Sequence, residues 1–260
     1  MKRIILFLAT NLAVMLVLSI VLSIVFKVLG IDSRSIGGLL VFAAVFGFGG
    51  SFISLFMSKW MAKRSTGAVV ITQPRNATEQ WLFDTVRRQA QQAGIGMPEV
   101  AVYDSPEMNA FATGMNRNDA LVAVSTGLLR NMREDEVEAV LAHELGHYKR
   151  NHIRKRLLVS FAMSFVMLAL LGWVSTQAWF YIDLGVTPSL EGYNGGLALA
   201  LFMLVSPVFG FFFTPLSSLA SRKHEYEADA YAAQATGGPT DMIAALKRLA
   251  RDSLSNLTPH

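Results

Sequence analysis

Cysteine is absent from this sequence of 260 residues, and charged residues are scarce. Without a thiol the chain forms no disulfide, and any metal site must use imidazole and carboxylate ligands. Only 16% of the residues are charged and 52% are hydrophobic, whereas about 25% are charged in an average soluble domain. This composition indicates a membrane protein. The net charge of only +4, without a basic stripe interleaved with aromatic residues, argues against a nucleic-acid partner.

Four apolar stretches are long enough to cross a bilayer, which requires about 20 residues. They cover approximately residues 4–29, 36–57, 157–182 and 197–220. The first resembles a signal peptide, but its apolar core is too long and no cleavage site follows, so we expect a retained anchor. The last two stretches have an alternative interpretation, because a deep hydrophobic hairpin packed on the soluble part would have the same composition.

The stretches divide the chain into four predicted parts. These are a transmembrane hairpin (1–58), a soluble part (59–156), a second transmembrane or membrane-embedded hairpin (157–220) and carboxyl-terminal helices (221–260). Lys and Arg cluster before the first stretch, after the second, before the third and after the fourth, whereas the opposite loops have few. By the positive-inside rule, both termini and the soluble part face the cytoplasm.

The soluble part has the texture of a mixed helix-and-strand unit. Capping and turn residues predict a helix from Asn76 to Gly94, strands at 99–103, 109–114 and 120–125, and a helix that begins near Arg133. About 95 residues are a thin basis for an independent core. We therefore expect the residues after 220 to pack back against this part and complete one domain.

The second of these helices carries the pentad H-E-x-x-H, formed by residues 143–147. Positions i and i+4 share a helix face, so His143 and His147 can bind one ion, and zinc accepts neutral imidazole at about 2.0–2.1 Å. Glu144 stands where it can take a proton from an activated water molecule. The alternative is two solvated histidines on a charged helix. We predict a metal site with Glu144 as the catalytic residue.

Two histidines and a water molecule leave one position of a tetrahedral zinc site to be filled. A third histidine in the extended pattern is excluded, because Ile153 occupies its place. On a continuous helix His152 lies about 180° from His143, so we expect it to point away from the metal, solvated or interfacial.

The segment beyond the fourth apolar stretch offers carboxylates instead. Glu225 and Asp229 are separated by one helical turn and share a face, so one can bind the metal while the other accepts the N–H group of a ligand imidazole. Glu227 falls roughly opposite to them. His224 is a competing ligand that projects about 100° from Glu225.

Segments outside the pentad resemble the HtpX-type membrane zinc metalloproteases, of the peptidase family that includes the CAAX prenyl proteases. The similarity covers essentially the whole chain and includes residues 46–51, 57–62, 73–76, 109–114 and 121–129. The resemblance implies one Zn²⁺ per chain, bound by His143, His147 and Glu225. It also implies Glu144 as the catalytic base and Asp229 as the carboxylate that supports a ligand.

The resemblance further implies an α-helical membrane protein with a zincin-like α+β metalloprotease domain, in a bacterial inner membrane. Its expected role is the cleavage of misfolded or damaged membrane proteins on the cytoplasmic side. Family members usually continue with a His-Pro-Pro segment, so this sequence is expected to be shortened. The oligomeric state stays open.

A substrate site is predicted at Asn109, Ala110 and Phe111, where an extended peptide can add to a strand edge. Plain core packing is the alternative for these strand residues.

Two other functions remain as alternatives. An intramembrane protease would carry the pentad inside an apolar span, but Glu134, Asp135 and Glu136 precede it here. The other alternative is a transporter, or a scaffold with a structural metal. Ion transport usually requires ionisable residues within the spans, and a structural zinc is usually closed by four protein ligands.

Overall fold

The computed structural model describes residues 2–32, 36–175, 177 and 195–255. Along the chain the elements are α1 (Lys2–Leu29), α2 (Ile36–Thr66), β1 (Val69–Val70), α3 (Ala77–Ala93), β2 (Glu99–Tyr103), β3 (Ala110–Asn116), β4 (Asp119–Ser125), α4 (Thr126–Asn131), α5 (Glu134–Lys149), α6 (His152–Ser175), α7 (Gly195–Ala235) and α8 (Thr240–Ser255). They form two compact units, which we call the apolar unit (Met1–Ser54 and Leu157–Ala220) and the sheet unit (Leu55–Arg156 and Ser221–His260).

Three helices in the described residues are long and apolar enough to cross a membrane. Their candidate spans are Leu12–Leu29, Gly37–Thr66 and His152–Val174. They correspond to the first three predicted spans. The fourth predicted stretch, 197–220, is helical as the first part of α7 but is not among these spans, so the predicted number of four is not confirmed. The end of the third predicted stretch and most of the loop after it lie outside the described residues.

Small residues bring α2 and α6 together in the apolar unit. A Cβ atom on Gly47 would lie 3.2 Å from the backbone nitrogen of Phe165. Ser51 Oγ lies 3.4 Å from Ser160 Oγ. Glycine and serine allow helix backbones to approach closely where lipid removes the hydrophobic driving force for association.

The sheet unit is built on a four-stranded sheet of order β1-β2-β4-β3. β2 and β4 are parallel, whereas β1 pairs with β2, and β3 with β4, in antiparallel fashion. The predicted strands are present with shifts of one or two residues at their ends. β3 is an edge strand, with no further partner among the described residues.

Helices α3 and α5 cover one face of this sheet with a continuous apolar core. Its buried members include Leu82, Val86, Val100, Val122, Val124, Leu141 and Leu145. The predicted start of α3 is confirmed, because Asn76 Oδ1 accepts the N–H group of Glu79 at 2.8 Å. Its predicted end is confirmed as well, since Gly94 adopts the left-handed conformation that glycine tolerates.

The amino end of α5 is tied to α8 by a buried ion pair. Glu136 is 2% exposed and accepts hydrogen bonds from the Arg133 backbone N–H group and from Arg248 Nε, both at 2.9 Å. Arg248 also donates to the carbonyl group of Asn131 at 3.0 Å. The acidic first turn of α5 suits the positive end of the helix dipole. The ion pair therefore fixes where α5 starts against the last described helix.

Replacing Arg248 with Met should destabilise the sheet unit, because the buried Glu136 carboxylate loses its cation. Loss of one partner of a fully buried pair costs about 3–5 kcal/mol, and the 44% exposure of Arg248 reduces the expected loss to about 2 kcal/mol. Thermal unfolding in detergent measures the effect, with Lys247→Met on the same helix as the control. Adding Glu136→Gln should recover part of the loss. Equal melting temperatures for Arg248→Met and Lys247→Met would contradict this account.

Candidate metal centre

Helix α5 presents two histidines on one face at the carboxyl half of its length. The ring centroids of His143 and His147 are 5.0 Å apart, and the side chains are 14% and 15% exposed. The alternative of two solvated histidines is wrong for this structure. The opposite face of the helix is anchored in the core by Leu141 and Leu145, which are fully buried. Core packing thus turns both imidazoles toward α7.

Helix α7 approaches α5 at Gly146, inside the pentad. A Cβ atom at this position would lie 2.9 Å from Tyr231 Cδ1 and 3.4 Å from Ala228 Cα. Ala139, Ala142 and Ala232 continue the contact with other small, fully buried side chains. The lack of side-chain bulk therefore sets the distance between the helix with the histidines and the helix with the carboxylates.

Glu225 on α7 reaches the two imidazoles from this position. Its Oε2 lies 3.3 Å from His143 Nε2 and 3.7 Å from His147 Nε2. In a tetrahedral zinc site with bonds of about 2.0–2.1 Å, neighbouring ligand atoms are about 3.4 Å apart. Within the described residues, these three form the group with metal-ligand spacing. Two nitrogens and one oxygen at this separation fit a zinc ion.

Asp229 lies behind the first of these histidines. Its Oδ1 is 2.8 Å from His143 Nδ1, the ring nitrogen that faces away from Glu225. An ionised carboxylate only accepts, so the contact holds the proton of His143 on Nδ1 and leaves Nε2 free for a metal. The one-turn spacing predicts such a contact for one of the two carboxylates, and the family resemblance implies it for Asp229.

Glu144 is held by the edge strand of the sheet. Its Oε2 accepts the backbone N–H group of Ala112 on β3 at 2.9 Å. Burial raises the pKa of Glu144 from 4.5 to about 7, partly offset by His143 and by the Ala112 hydrogen bond. A carboxyl group that titrates near neutrality can both accept and release a proton.

The prediction that His152 is solvated or interfacial is wrong, although it does lie on the side of His147 that faces away from Glu225. α5 ends at Lys149, and Asn151 adopts a left-handed conformation (φ 56°) before α6 begins. The break returns His152 to the site, where it is 1% exposed and its Nδ1 lies 3.0 Å from His147 Nδ1. The prediction assumes a continuous helix through residue 152, and Asn151 is the one local signal for a break, because asparagine tolerates the left-handed conformation.

Glu227 and His224 belong to the same cluster. His152 Nε2 lies 2.9 Å from Glu227 Oε2, and the His224 ring stacks on His152 at 4.3 Å. The predicted position of Glu227, opposite Glu225 on the helix, makes its carboxylate available to His152. His224 Nδ1 has no hydrogen-bond partner within the described part of the chain. Its ring faces His152, so its proposed role as a competing ligand finds no support in this geometry.

Of the three predicted substrate residues, Asn109 directly precedes β3, and Ala110 and Phe111 begin it. The Asn109 carbonyl group accepts the N–H group of Ser125 at 2.9 Å, so Asn109 and Phe111 are directed toward β4. Backbone groups of successive residues in a strand point to alternate sides, so the N–H and carbonyl groups of Ala110 are directed toward the open edge. The Phe111 side chain packs against Tyr103, with ring centroids 5.7 Å apart. Substrate binding by these residues stays a prediction.

Comparison with known proteins identifies the family. The model of Peptidase family M48 matches residues 76–259. The chain belongs to peptidase family M48. It is 56% identical over 250 residues to Protease HtpX of Stenotrophomonas maltophilia (strain R551-3), covering 95% of this chain and 83% of that protein. It is 53% identical over 262 residues to Protease HtpX of Tolumonas auensis, covering 99% and 88%. The resemblance to HtpX-type proteases is therefore confirmed, and the chain is a membrane metalloprotease by family.

The fold has a relative among solved structures. A crystal structure of Ste24p from S. mikatae superposes with a TM-score of 0.66 at 22% sequence identity. The match covers 89% of this chain but only 55% of that chain. At this identity the likeness concerns the fold alone.

Replacing Gly146 with Ala should weaken metal binding, because the new methyl group displaces the Tyr231 ring or the α7 backbone. Overpacking costs about 1–3 kcal/mol, which exceeds the gain of up to about 1 kcal/mol from replacing a helical glycine with alanine. We expect a weaker zinc affinity in chelator competition and a lower melting temperature. Gly238→Ala is the control, because a Cβ atom there meets nothing within 4 Å. Wild-type affinity and stability for Gly146→Ala would show that the close approach is dispensable.

The metal-free protein should lose stability as Glu144 ionises. The carboxyl group titrates near pH 4.5 in the unfolded chain and near 7 in the folded one, so the stabilisation is complete below pH 4.5 and is lost as the pH rises to 7. At about 1.4 kcal/mol per pKa unit the loss is at most about 3 kcal/mol, less because the side chain is only partly buried.

Glu144→Gln should remove this dependence. In metal-free protein the variant should melt higher than wild type at pH about 8, and the difference should shrink toward pH about 4.5. A difference between the two proteins that does not change with pH would contradict the burial of this carboxyl group.

Proposed function

We propose that this chain is a zinc-dependent endopeptidase of the gluzincin type that cleaves misfolded or damaged membrane proteins at the cytoplasmic face of the bacterial inner membrane. The single observation that carries the proposal is the position of Glu225 Oε2, 3.3 and 3.7 Å from the free nitrogens of His143 and His147. The carboxylate comes from a helix distant in sequence. A two-histidine helix without it would have no completed ligand set.

Zinc is the metal that this donor set favours. Two imidazole nitrogens and one carboxylate oxygen match a catalytic zinc site with an open fourth position, and the chain has no thiolate to offer. Glu225 is 45% exposed, which leaves the site accessible to water and substrate. When bound, zinc supplies a water molecule of lowered pKa and polarises the scissile carbonyl group.

Glu144 performs the proton transfers in this proposal. One carboxylate oxygen is held by Ala112, so the side chain has a fixed orientation beside His143. It accepts a proton from the attacking water molecule and delivers it to the leaving amine. A pKa of about 7 in the metal-free protein suits both steps.

The open edge of β3 is the proposed binding site for the peptide. The backbone of Ala110 and the carbonyl group of Ala112 are directed away from β4, beside the Glu144 carboxylate. An extended substrate segment can add there as a further strand. Backbone pairing reads conformation more than side chains, so we expect loose sequence preference, as suits the removal of damaged proteins. Asn109 and Phe111 would support this edge through their pairing with β4.

Two alternatives are less well supported. For an intramembrane protease, α5 would have to be apolar, but its first turn carries Glu134, Asp135 and Glu136, and it is not among the candidate spans of the described residues. For a scaffold with a structural zinc, four protein ligands are expected. The described residues bring three together.

Replacing Glu144 with Gln separates a protease from a scaffold. The variant should retain zinc and lose proteolysis by about 10²–10⁴-fold, because general acid–base catalysis contributes about this much. Casein cleavage and metal content of protein purified in detergent are the measurements. Chelation should abolish cleavage by wild-type protein, and zinc should restore it.

Glu138→Gln is the matched control on the same helix. Glu138 pairs with Arg88 at 2.8 Å and is remote from the ligands in sequence by more than one helical turn. It should cleave as wild type does. Proteolysis that survives metal removal, or that is equal in the Glu144→Gln and Glu138→Gln variants, would rule out the mechanism.

The absence of native cysteine makes the proposed orientation easy to test. A membrane-impermeant maleimide should label Asp32→Cys in intact bacteria, because the loop after α1 is proposed to face the periplasm. Gln91→Cys, on an exposed position of α3, should be labelled only after the cells are opened. The reverse pattern would show that the site faces away from the cytoplasm.

A further inference from the structure

The two imidazoles of the metal centre are supported from behind in different ways. His143 faces the Asp229 carboxylate, which can only accept a hydrogen bond when ionised. His147 Nδ1 instead lies 3.0 Å from Nδ1 of a second histidine, His152. A ring nitrogen can donate or accept, so this contact alone does not define the tautomer of His147.

The contact between His152 and Glu227 defines this tautomer. His152 Nε2 lies 2.9 Å from Glu227 Oε2, and a glutamate side chain is ordinarily ionised at neutral pH. The carboxylate must accept, so His152 carries its proton on Nε2 and offers the lone pair of Nδ1. His147 Nδ1–H donates to that lone pair. The Nε2 of His147 is then left unprotonated, 3.7 Å from Glu225 Oε2.

We propose that His152 and Glu227 are positioning residues of the metal centre, and that they form a one-way hydrogen-bond chain that leaves Nε2 of His147 free to bind the metal. One carboxylate thereby sets the tautomers of two rings in series. The inference rests on the proposed function, since it concerns the zinc ligand His147.

Packing holds the hydrogen-bond chain in place. His152 is 1% exposed, and the His224 ring stacks on it with an angle of 19° between the planes. His224 Nδ1 makes no hydrogen bond to any described residue, so His224 acts on His152 through its ring face. A buried ring stacked in this way cannot turn to exchange its two nitrogens without disturbing its neighbours.

The backbone delivers His152 to this place. The left-handed Asn151 separates α5 from α6, and its side chain accepts a hydrogen bond from Arg117 Nη2 at 2.9 Å. Asparagine is among the few residues that adopt this conformation readily. The turn puts His152 behind His147, which precedes it by five positions along the sequence.

A direct role of His152 as a metal ligand does not fit. Its Nδ1 meets Nδ1 of His147, the nitrogen opposite the one that faces Glu225. The structure's group with metal-ligand spacing, in the residues that it describes, includes His143, His147 and Glu225 only. The remaining alternative is a buried histidine whose hydrogen bonds serve stability alone, and this alternative predicts no change in zinc affinity at equal stability.

Glu227→Gln tests the direction of the chain. The amide has nearly the same size but can donate as well as accept, so it no longer dictates the tautomer of His152. We expect the dissociation constant for zinc to rise about tenfold in competition with a chromophoric chelator. In metal-free protein, nitrogen-15 NMR of labelled histidine should show a mixture of His147 tautomers in place of one. Glu138→Gln is the control and should change neither quantity.

Two variants of His152 test the acceptor itself. His152→Phe keeps a ring for stacking but removes the acceptor, and should weaken zinc binding about as much as Glu227→Gln does. His152→Asn offers a carbonyl oxygen near the former Nδ1 and should recover most of the affinity. Adding Glu227→Gln to His152→Asn should have no further effect, because the chain is already interrupted at residue 152.

Two outcomes would overturn the proposal. The first is wild-type zinc affinity in both Glu227→Gln and His152→Phe. The second is a metal-free wild-type protein in which His147 carries its proton on Nε2. Failure of the proposed function has a different signature, because wild-type protein would then bind no zinc, or Glu225→Gln would bind it equally well. The tautomer measurement needs no metal, so it tests the direction of the hydrogen-bond chain whether or not the proposed function is correct.

Discussion

The close approach of α7 to α5 at Gly146 is the contact on which the site depends. His143 and His147 face one way because the rest of α5 is anchored in the sheet core, but two imidazoles on one turn do not complete a ligand set. Glu225 comes within metal-ligand distance of them because Ala228 and the Tyr231 ring occupy the space that a side chain at position 146 would take. Small residues along this contact replace the usual interlocking of large ones, so carboxylates from a helix distant in sequence come within bonding range.

The contact joins the site to two further parts of the sheet unit. Ala112 on the edge strand holds Glu144 through its N–H group, so the proposed base and the proposed peptide edge share one residue. Behind the histidines, Asp229 supports one ring and the His152–Glu227 pair supports the other. Residues that bind a metal do not by themselves define their own tautomers and ring orientation. The groups behind the imidazoles do so, and a catalytic metal site requires this.

Local signals predicted much of the fold and the reactive pentad. Asn76 and Gly94 mark the two ends of α3 through capping interactions that involve only neighbouring residues, and turn residues delimit the predicted strands that correspond to β2 and β4. The two-residue strand β1 and the short helix α4 are too brief for any periodic pattern. Local signals did not predict the conformation of Asn151, because its φ angle depends on tertiary contacts, including the hydrogen bond from Arg117. That single dihedral angle decides whether His152 faces solvent or the site.

Zinc-edge X-ray absorption of the purified protein shows whether Glu225 completes the metal site. The proposed site predicts one zinc per chain, with two imidazole nitrogens and carboxylate and water oxygens at about 2.0–2.1 Å. It also predicts that Glu225→Ala loses the zinc or changes this shell. An unchanged zinc content and coordination shell in Glu225→Ala would contradict it, because the metal would then be held without the carboxylate that the approach of α7 supplies.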